Sequence, residues 1–178
     1  MCTQVVDRAA VEVVLRPRVG MGQVEDKARE SRLVSTLTST ILTVLHPRTA
    51  ISINLQVEQE DGCLESACIN AASLALLDAS VSLKFLIASV TVVIMPDGDI
   101  VCDPTGKQMT KSVANLVLTF SSKPAPDGSP IIVSTSVNGR VTSDQLQQCI
   151  TAAHNAANTV FKFFRETIAR KFSKEISS

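Results

Sequence analysis

The most restrictive feature of the sequence is an apolar run over residues 85–95 that is rich in β-branched side chains. A Pro-Asp-Gly-Asp turn follows at residues 96–99, and apolar residues return at 100–102. β-branched residues favour strands, and a turn of this composition joins neighbouring strands in a hairpin. The segment therefore predicts a β-hairpin in the second half of the chain.

Hydrophobic periodicity divides the rest of the chain between strands and helices. Alternating or β-branched segments predict further strands at residues 10–15, 50–57, 114–120 and 131–137. Apolar residues spaced by three and four predict helices at residues 25–45, at 63–79, and from Ser143, the expected N-cap, onward. The order β-α-β-α-β-β-β-β-α indicates an α/β (α+β) fold, and the 178 residues suit one domain spanning 1–178.

Composition excludes several classes of protein. Lys and Arg total 17, Asp and Glu total 17, and 45% of the residues are hydrophobic. The apolar fraction is too high for intrinsic disorder, and the zero net charge lacks the basic footprint of a free-standing nucleic-acid-binding domain. Because no apolar run reaches the roughly 18 residues of a membrane span and the start of the sequence lacks signal-peptide features, we expect an intracellular protein away from membranes.

The charges are distributed unevenly along the chain. The middle of the sequence is acidic, whereas the last predicted helix carries five basic residues, Lys162, Arg165, Arg170, Lys171 and Lys174. Such a cluster is typical of the solvated face of an amphipathic helix, and the alternative is a patch that contacts RNA.

Few residues follow the spacing of known catalytic or metal sites. The two histidines, His46 and His154, are not spaced as metal ligands, and the sequence contains no GxSxG, GxGxxG or P-loop pattern. The five cysteines form no Cys-x-x-Cys pair, which favours reduced thiols. We therefore predict neither a metal nor a cofactor.

Two groups of carboxylates deserve a chemical interpretation. They consist of Glu58, Glu60, Asp61 and Glu65 around one turn, and of Asp97, Asp99 and Asp103 around the hairpin. Clustered carboxylates can hold a divalent cation or transfer protons, but they are also common in turns and at helix N-termini for structural reasons.

Four segments together resemble a known family. They are HPRTAISINLQVEQEDG, CLESACINAASLALLDA, LKFLIASVTVVIMPDGDIVCDPT and LQQCITAAHNAANTVFKFFRETIARKF. From Glu12 to the C-terminus the chain resembles a ribonuclease PH domain, and it is most similar to the ring subunits of the eukaryotic RNA exosome. The resemblance implies the βα layers seen in the second domain of ribosomal protein S5, here lacking the first strands of the family. We expect that loss to expose a sheet edge and to favour dependence on a partner.

The resemblance also implies a biological role. Such domains pair into heterodimers within a six-membered ring, which cap subunits cover and whose channel conducts single-stranded RNA during 3′ to 5′ processing and degradation. The implied locations are the nucleus, the nucleolus and the cytoplasm.

The residues that match the family's catalytic positions argue against catalysis. In active members, an arginine in a loop before the central helix holds phosphate, and two carboxylates six residues apart follow the later hairpin. Here Glu65 occupies the arginine position, Asp103 matches the first carboxylate and Met109 replaces the second. Since a carboxylate repels phosphate, we predict a non-catalytic structural subunit. The alternative is a residual metal-dependent nuclease or phosphorolytic exoribonuclease that uses Asp103.

Three arginines are candidates for RNA contact, because active relatives carry basic residues near the first long helix. They are Arg29, Arg32 and Arg48. The alternative is that these arginines pair along the helix with the acidic residues Glu25, Asp26 and Glu30.

Overall fold

The computed structural model of the chain describes residues 7–18, Gly20 and 24–176. The strands are β1 (Ala10–Arg16), β2 (Ala50–Gln56), β3 (Ile87–Ile94), β4 (Ile100–Cys102), β5 (Ala114–Ser121) and β6 (Ile132–Gly139). The helices are α1 (Val24–Thr40), α2 (Leu64–Asp78), α3 (Gly106–Lys111) and α4 (Ser143–Ile176). The predicted α/β order is confirmed, with α3 as an addition.

The first layer combines a small sheet with two helices. Strands β1 and β2 run parallel, from Ala10 opposite Ala50 to Arg16 opposite Gln56, and they are the only two strands of this sheet in the described part of the chain. Helices α1 and α2 cover the sheet with a core that includes Val13, Leu33, Leu37, Ile53 and Ile69. Apolar positions that predicted α1 and β2, such as Leu33, Leu37 and Ile53, therefore belong to one core.

The second layer is an antiparallel sheet in the order β4-β3-β5-β6. Every residue of β3 is buried. The β3 side chains of Ala88, Val90, Val92 and Ile94 join a core with β5 and α4. Helix α4 contributes the buried residues Cys149, Ala153, Ala157, Phe161 and Phe164, which follow the predicted spacing of three and four. Sequence periodicity placed Ala153, Ala157 and Phe164 on the apolar face, but it did not include Cys149 or Phe161.

Asn70 of α2 connects the two layers. Strand β4 pairs only with residues 92–94 of β3, so the edge of β3 is open at Ser89. The Asn70 side chain fills that edge: its Nδ2 donates to the Ser89 carbonyl oxygen, and its Oδ1 accepts from the Ser89 N–H, both at 2.8 Å. An amide side chain presents one donor and one acceptor in the same spacing as a strand backbone, so α2 replaces a missing strand at this point.

The predicted helix over residues 25–45 is too long at its C-terminal end. Helix α1 ends at Thr40, and Thr43–Leu45 forms a separate 3-10 turn. Ile41 pairs as an isolated bridge with Leu83, and the Thr40 carbonyl accepts from the Lys84 N–H at 2.8 Å. The helix stops because its next residues form hydrogen bonds with a distant segment, which local periodicity does not reveal.

The N-cap of α4 is Thr142 and not the predicted Ser143. The Thr142 N–H donates to Gln145 Oε1 at 3.1 Å, and the Gln145 N–H donates to Thr142 Oγ1 at 3.4 Å. Thr105 and Gln108 form the same reciprocal capping box at the start of the unpredicted helix α3. A Thr-x-x-Gln spacing predicts a helix start, so this signal was present in the sequence at both places.

Four cysteines lie in the described part of the chain as free thiols, which agrees with the predicted reduced state. They are Cys63, Cys68, Cys102 and Cys149, and Cys2 lies outside the described residues. None of the helices described in the structure combines the length and the apolar surface needed to cross a membrane.

The Asn70 bridge generates a stability prediction. Asn70→Ala removes two hydrogen bonds and leaves the backbone groups of the buried Ser89 without these partners, so we expect a loss of about 2–3 kcal/mol in the free energy of unfolding. Urea unfolding followed by circular dichroism measures this difference. Asn155→Ala on the exposed face of α4 is the matched control, and we expect it to change stability by less than about 0.5 kcal/mol. Equal changes in the free energy of unfolding for the two substitutions would contradict a stabilising role for the hydrogen bonds between Asn70 and Ser89.

Candidate functional site

Two turns meet at the N-terminus of α2. Gly62 and Cys63, which precede the helix, both have positive φ angles, of 88° and 50°. A Cβ atom on Gly62 would lie 2.7 Å from Met109 Sδ and 3.1 Å from the Pro104 carbonyl oxygen. Glycine is therefore required at this position both by its backbone conformation and by the close approach of the second turn.

The second turn follows β4 and contains Asp103. Asp103 is exposed, has a φ angle of 55°, and donates its N–H to the Thr91 carbonyl oxygen at 2.9 Å. The Cys63 thiol donates to the Pro104 carbonyl oxygen at 3.2 Å, and the Gly106 N–H donates to Asp61 Oδ1 at 3.1 Å. These bonds hold the two turns together, so the loop before α2 and the turn after β4 form one unit.

A cleft of about 400 Å³ opens beside this unit. Its lining includes Cys63, Ser66, Asn70, Thr91 and Asp103, and Asp103 supplies the only charged side chain in the lining that the structure describes. Ser66 and Thr91 hydrogen bond to each other through their hydroxyl groups at 2.8 Å. The cleft can therefore hold polar groups, but its formal charge is negative.

The carboxylates that the sequence offered as a metal site do not come together. Among the described residues, no group of three or more His, Cys, Asp or Glu side chains is arranged to hold a metal ion. Asp103 faces an open cleft, as the nuclease alternative requires, but no second carboxylate lines that cleft within the described chain. A two-metal nuclease needs several carboxylates around its ions, so the geometry gives this alternative no support.

Glu65 is held by Arg32 across the interface between α1 and α2. Arg32 Nε and Nη2 donate to the two Glu65 carboxylate oxygens at 3.0 and 2.9 Å. The Glu65 side chain is only 14% exposed, against 45% for Arg32. The hydrogen bond to Glu65 raises the pKa of the Arg32 guanidinium, which holds a positive charge against the Glu65 carboxylate.

The other proposed RNA contacts have different surroundings. Arg29 lies 3.2 Å from Asp26 and 3.9 Å from Glu25, as the pairing alternative predicted. Glu30 does not join this group, because its carboxylate accepts from the Leu15 N–H at 2.7 Å and ties α1 to β1. Arg48 is exposed in a turn with a φ angle of 58°, and it forms no ion pair within the described part of the chain.

The thiols of Cys63 and Cys68, at and within α2, are weaker acids than free cysteine. Burial raises the pKa of the Cys63 thiol to about 11, an effect that the hydrogen bond with Thr91 opposes and the neighbouring Asp103 carboxylate reinforces. Burial also raises the pKa of Cys68 to about 11. Both thiols are therefore protonated near neutral pH, which makes them poor nucleophiles. The sequence indicated a reduced cysteine at position 63, but not that its side chain lines the cleft.

Comparison with known proteins identifies the family. The sequence model described as "3′ exoribonuclease family, domain 1" matches residues 5–82, and the model for domain 2 of the same family matches residues 86–156. The exosome complex exonuclease RRP46 homolog of Oryza sativa subsp. japonica is 30% identical over 176 residues, which cover 93% of this chain and 74% of the relative. The chain belongs to the 3′ exoribonuclease family. The ribonuclease PH resemblance seen in the sequence is thus confirmed.

Other members of the 3′ exoribonuclease family extend the comparison. The exosome complex component RRP46 of Saccharomyces cerevisiae is 34% identical over 147 residues, covering 77% of this chain and 65% of the yeast protein. The component Rrp41 of Archaeoglobus fulgidus is 35% identical over 134 residues, covering 75% of this chain and 51% of that protein. The crystal structure of rice Rrp46 superimposes with a TM-score of 0.85 at 27% identity, over 92% of this chain and 75% of the rice chain. The predicted fold class is therefore confirmed.

The cysteine environment predicts a pH dependence of stability. A thiol whose pKa is higher in the folded than in the unfolded chain stabilises the fold below the unfolded value, and this contribution is lost as the pH rises through the folded value. For Cys63 and Cys68 that window runs from 9.0 to about 11. We expect the melting temperature to fall across this window, as measured by differential scanning fluorimetry.

A variant separates the thiols from other alkaline effects. Cys63→Ala/Cys68→Ala lacks both groups, so its melting temperature should fall less steeply than that of the parent chain between the same two pH values. The quantity to compare is the slope of melting temperature against pH, because the substitutions also change packing and therefore shift the melting temperature itself. Parallel slopes would show that these thiols do not titrate as the structure indicates.

Proposed function

We propose that the chain is a non-catalytic structural subunit of the RNA exosome core ring. The relatives from rice and yeast are named as an exosome complex exonuclease homolog and an exosome complex component, and the chain shares their fold and most of its length with them. In this role it pairs with other ribonuclease PH-like subunits and contacts cap subunits. It thereby completes the RNA channel that supports 3′ to 5′ processing and degradation in the nucleus, including the nucleolus, and in the cytoplasm.

The observation that carries the non-catalytic assignment is the charge of the cleft beside Asp103. A phosphate nucleophile needs a cation or several N–H donors in its site, whereas the described lining contains one carboxylate and no basic side chain. Coulomb repulsion between Asp103 and a phosphate dianion opposes binding there, and the low polarity of a cleft wall strengthens that repulsion relative to water.

The two substituted family positions support the same proposal. Glu65 stands where the resemblance places a phosphate-binding arginine, and its charge is already taken up by Arg32. Met109 stands where the second carboxylate is expected, and its sulfur packs against the Gly62 turn. Both residues therefore have structural contacts in place of catalytic ones.

RNA contact is proposed for Arg29, Arg32 and Arg48. Arg48 is the strongest of the three on electrostatic grounds, because the first two already face carboxylates within the described chain. An exposed arginine without an acidic neighbour can exchange its water for a phosphate of the RNA backbone at little cost.

The proposal predicts that the isolated chain does not degrade RNA by phosphorolysis. Purified protein free of other exosome subunits, incubated with a 3′-tailed RNA and inorganic phosphate, should release no nucleoside diphosphate above the no-enzyme background. The physical reason is the missing cation beside Asp103. Thin-layer chromatography of end-labelled RNA measures the product, with a phosphorolytic member of the family as positive control.

Asp103→Asn makes the assay decisive for the alternative function. Phosphate-dependent release that disappears in this variant would contradict the non-catalytic assignment and support phosphorolysis. Release that requires a divalent cation but not phosphate, and that also depends on Asp103, would support the nuclease.

Ring membership has its own prediction. A tagged chain purified from its source cells should recover other ribonuclease PH-like subunits and cap subunits in near-equal amounts, as measured by quantitative mass spectrometry. Recovery of the tagged chain only with copies of itself would contradict the structural role in the ring, whatever the outcome of the activity assay.

A further inference from the structure

A second cleft lies between the loop after β5 and the long helix α4. Its volume is about 350 Å³. The helix contributes His154, Asn158, Lys162 and Arg165, whose spacing of three and four residues places them along one face. The loop side includes Ser121 and Ser122. The cleft shares no lining residue with the cleft beside Asp103.

The charge of this cleft is positive. Lys162 and Arg165 line it, and no carboxylate does so within the described chain. Lys162 lies 3.9 Å from Glu166 in a pair whose side chains are 79% and 56% exposed, so this pair is weak. Arg165 forms no ion pair with any residue that the structure describes.

Asp127, the acidic residue of this loop, forms its hydrogen bonds within the loop. Asp127 Oδ1 accepts from both the N–H and the hydroxyl of Ser129, at 3.2 and 2.7 Å. These bonds lower the pKa of Asp127. Asp127 does not line the cleft, and the hydrogen bonds of its carboxylate go to Ser129 and not to Lys162 or Arg165.

The hydroxyl groups of Ser121 and Ser122 also line the cleft, and both can donate a hydrogen bond to a ligand. Ser121 Oγ accepts from the Lys123 N–H, and Ser122 Oγ accepts from the Leu86 N–H, both at 3.1 Å. Each hydroxyl thus uses its oxygen as an acceptor, while its own hydrogen has no acceptor among the described residues. A hydroxyl group in this state can donate to a bound ligand without giving up an existing bond.

His154 fixes the position of the neighbouring amide. Its ring meets the edge of Phe120 with the centroids 5.5 Å apart, and its Nε2 lies 3.3 Å from Asn158 Nδ2. The second ring nitrogen, Nδ1, is buried and has no hydrogen-bond partner in the described structure. The Asn158 amide is thereby held beside the basic side chains, where its remaining N–H can serve as a donor.

We propose that this cleft binds a phosphate group. A phosphate presents several oxygen acceptors around one centre, and the cleft offers an ammonium group, a guanidinium group, two hydroxyl donors and an amide donor with no opposing carboxylate. A guanidinium group can donate two parallel hydrogen bonds to such an oxyanion, and an ammonium group adds a point charge. The ligand is either a free phosphate ion or the phosphodiester of a nucleotide chain, which share this chemistry.

The test is a titration of the ¹⁵N-labelled full chain, followed by nuclear magnetic resonance at constant ionic strength. Inorganic phosphate and a short single-stranded oligoribonucleotide are the two probes. We expect saturable shifts of the Ser122 and Asn158 amide resonances with at least one of them. Saturation with inorganic phosphate identifies a site for the free ion, whereas saturation with the oligoribonucleotide alone identifies a phosphodiester site.

Matched variants separate a built site from general electrostatic attraction. Lys162→Gln/Arg165→Gln should weaken the affinity at least about tenfold, which corresponds to about 1.4 kcal/mol. Arg140→Gln/Arg170→Gln removes the same charge from exposed positions outside the cleft and should change the affinity by less than about twofold.

Three results would overturn the proposal. They are shifts that do not saturate with either probe, equal weakening by the two double variants, and a glutamate-rich peptide that binds the cleft as tightly as the phosphate probes. The last result would assign the cleft to an acidic protein partner instead.

Discussion

The structure depends on the burial of strand β3 between two layers that come from different parts of the chain. All eight residues of β3 are buried, so the strand needs α4 on one side and α2 on the other. Its backbone needs partners as well, and where β4 is too short the Asn70 side chain of α2 supplies them at Ser89. A buried backbone group without a partner is costly, so this contact fixes where α2 lies.

The position of α2 then determines the geometry of the candidate site. The N-terminus of the helix meets the turn after β4, with bonds from Cys63 to Pro104 and from Gly106 to Asp61. The hydroxyl bond between Thr91 and Ser66 fastens the same helix end to the buried strand. Every catalytic position that the family resemblance indicates lies close to this junction. These contacts are structural, so they hold the positions together independently of any chemistry at the site.

The two clefts differ in charge, so the zero net charge of the chain conceals an uneven distribution of charged side chains over its surface. The cleft beside Asp103 has a negative lining, and the Arg32–Glu65 pair next to α2 is neutral as a unit. Positive charge lies on α4 instead, where Lys162, in a weak pair with Glu166, and Arg165 line the second cleft. The charged side chains that line the two clefts in the described structure are therefore opposite in sign.

Local patterns in the sequence determined the elements, because strand and helix periodicity depends on residues a few positions apart. They predicted β3 and its hairpin and the apolar spacing of α4, whereas the family resemblance implied that Glu65 and Met109 stand at catalytic positions. The tertiary structure decided what depends on distant partners. Helix α1 ends at Thr40 because the chain beyond it pairs with Leu83 and Lys84. Arg32 pairs with Glu65, 33 residues away in the sequence. Asn70 hydrogen bonds to Ser89 only because the two layers pack together. Periodicity carries no information about which distant groups become neighbours, since that follows from how the buried faces pack.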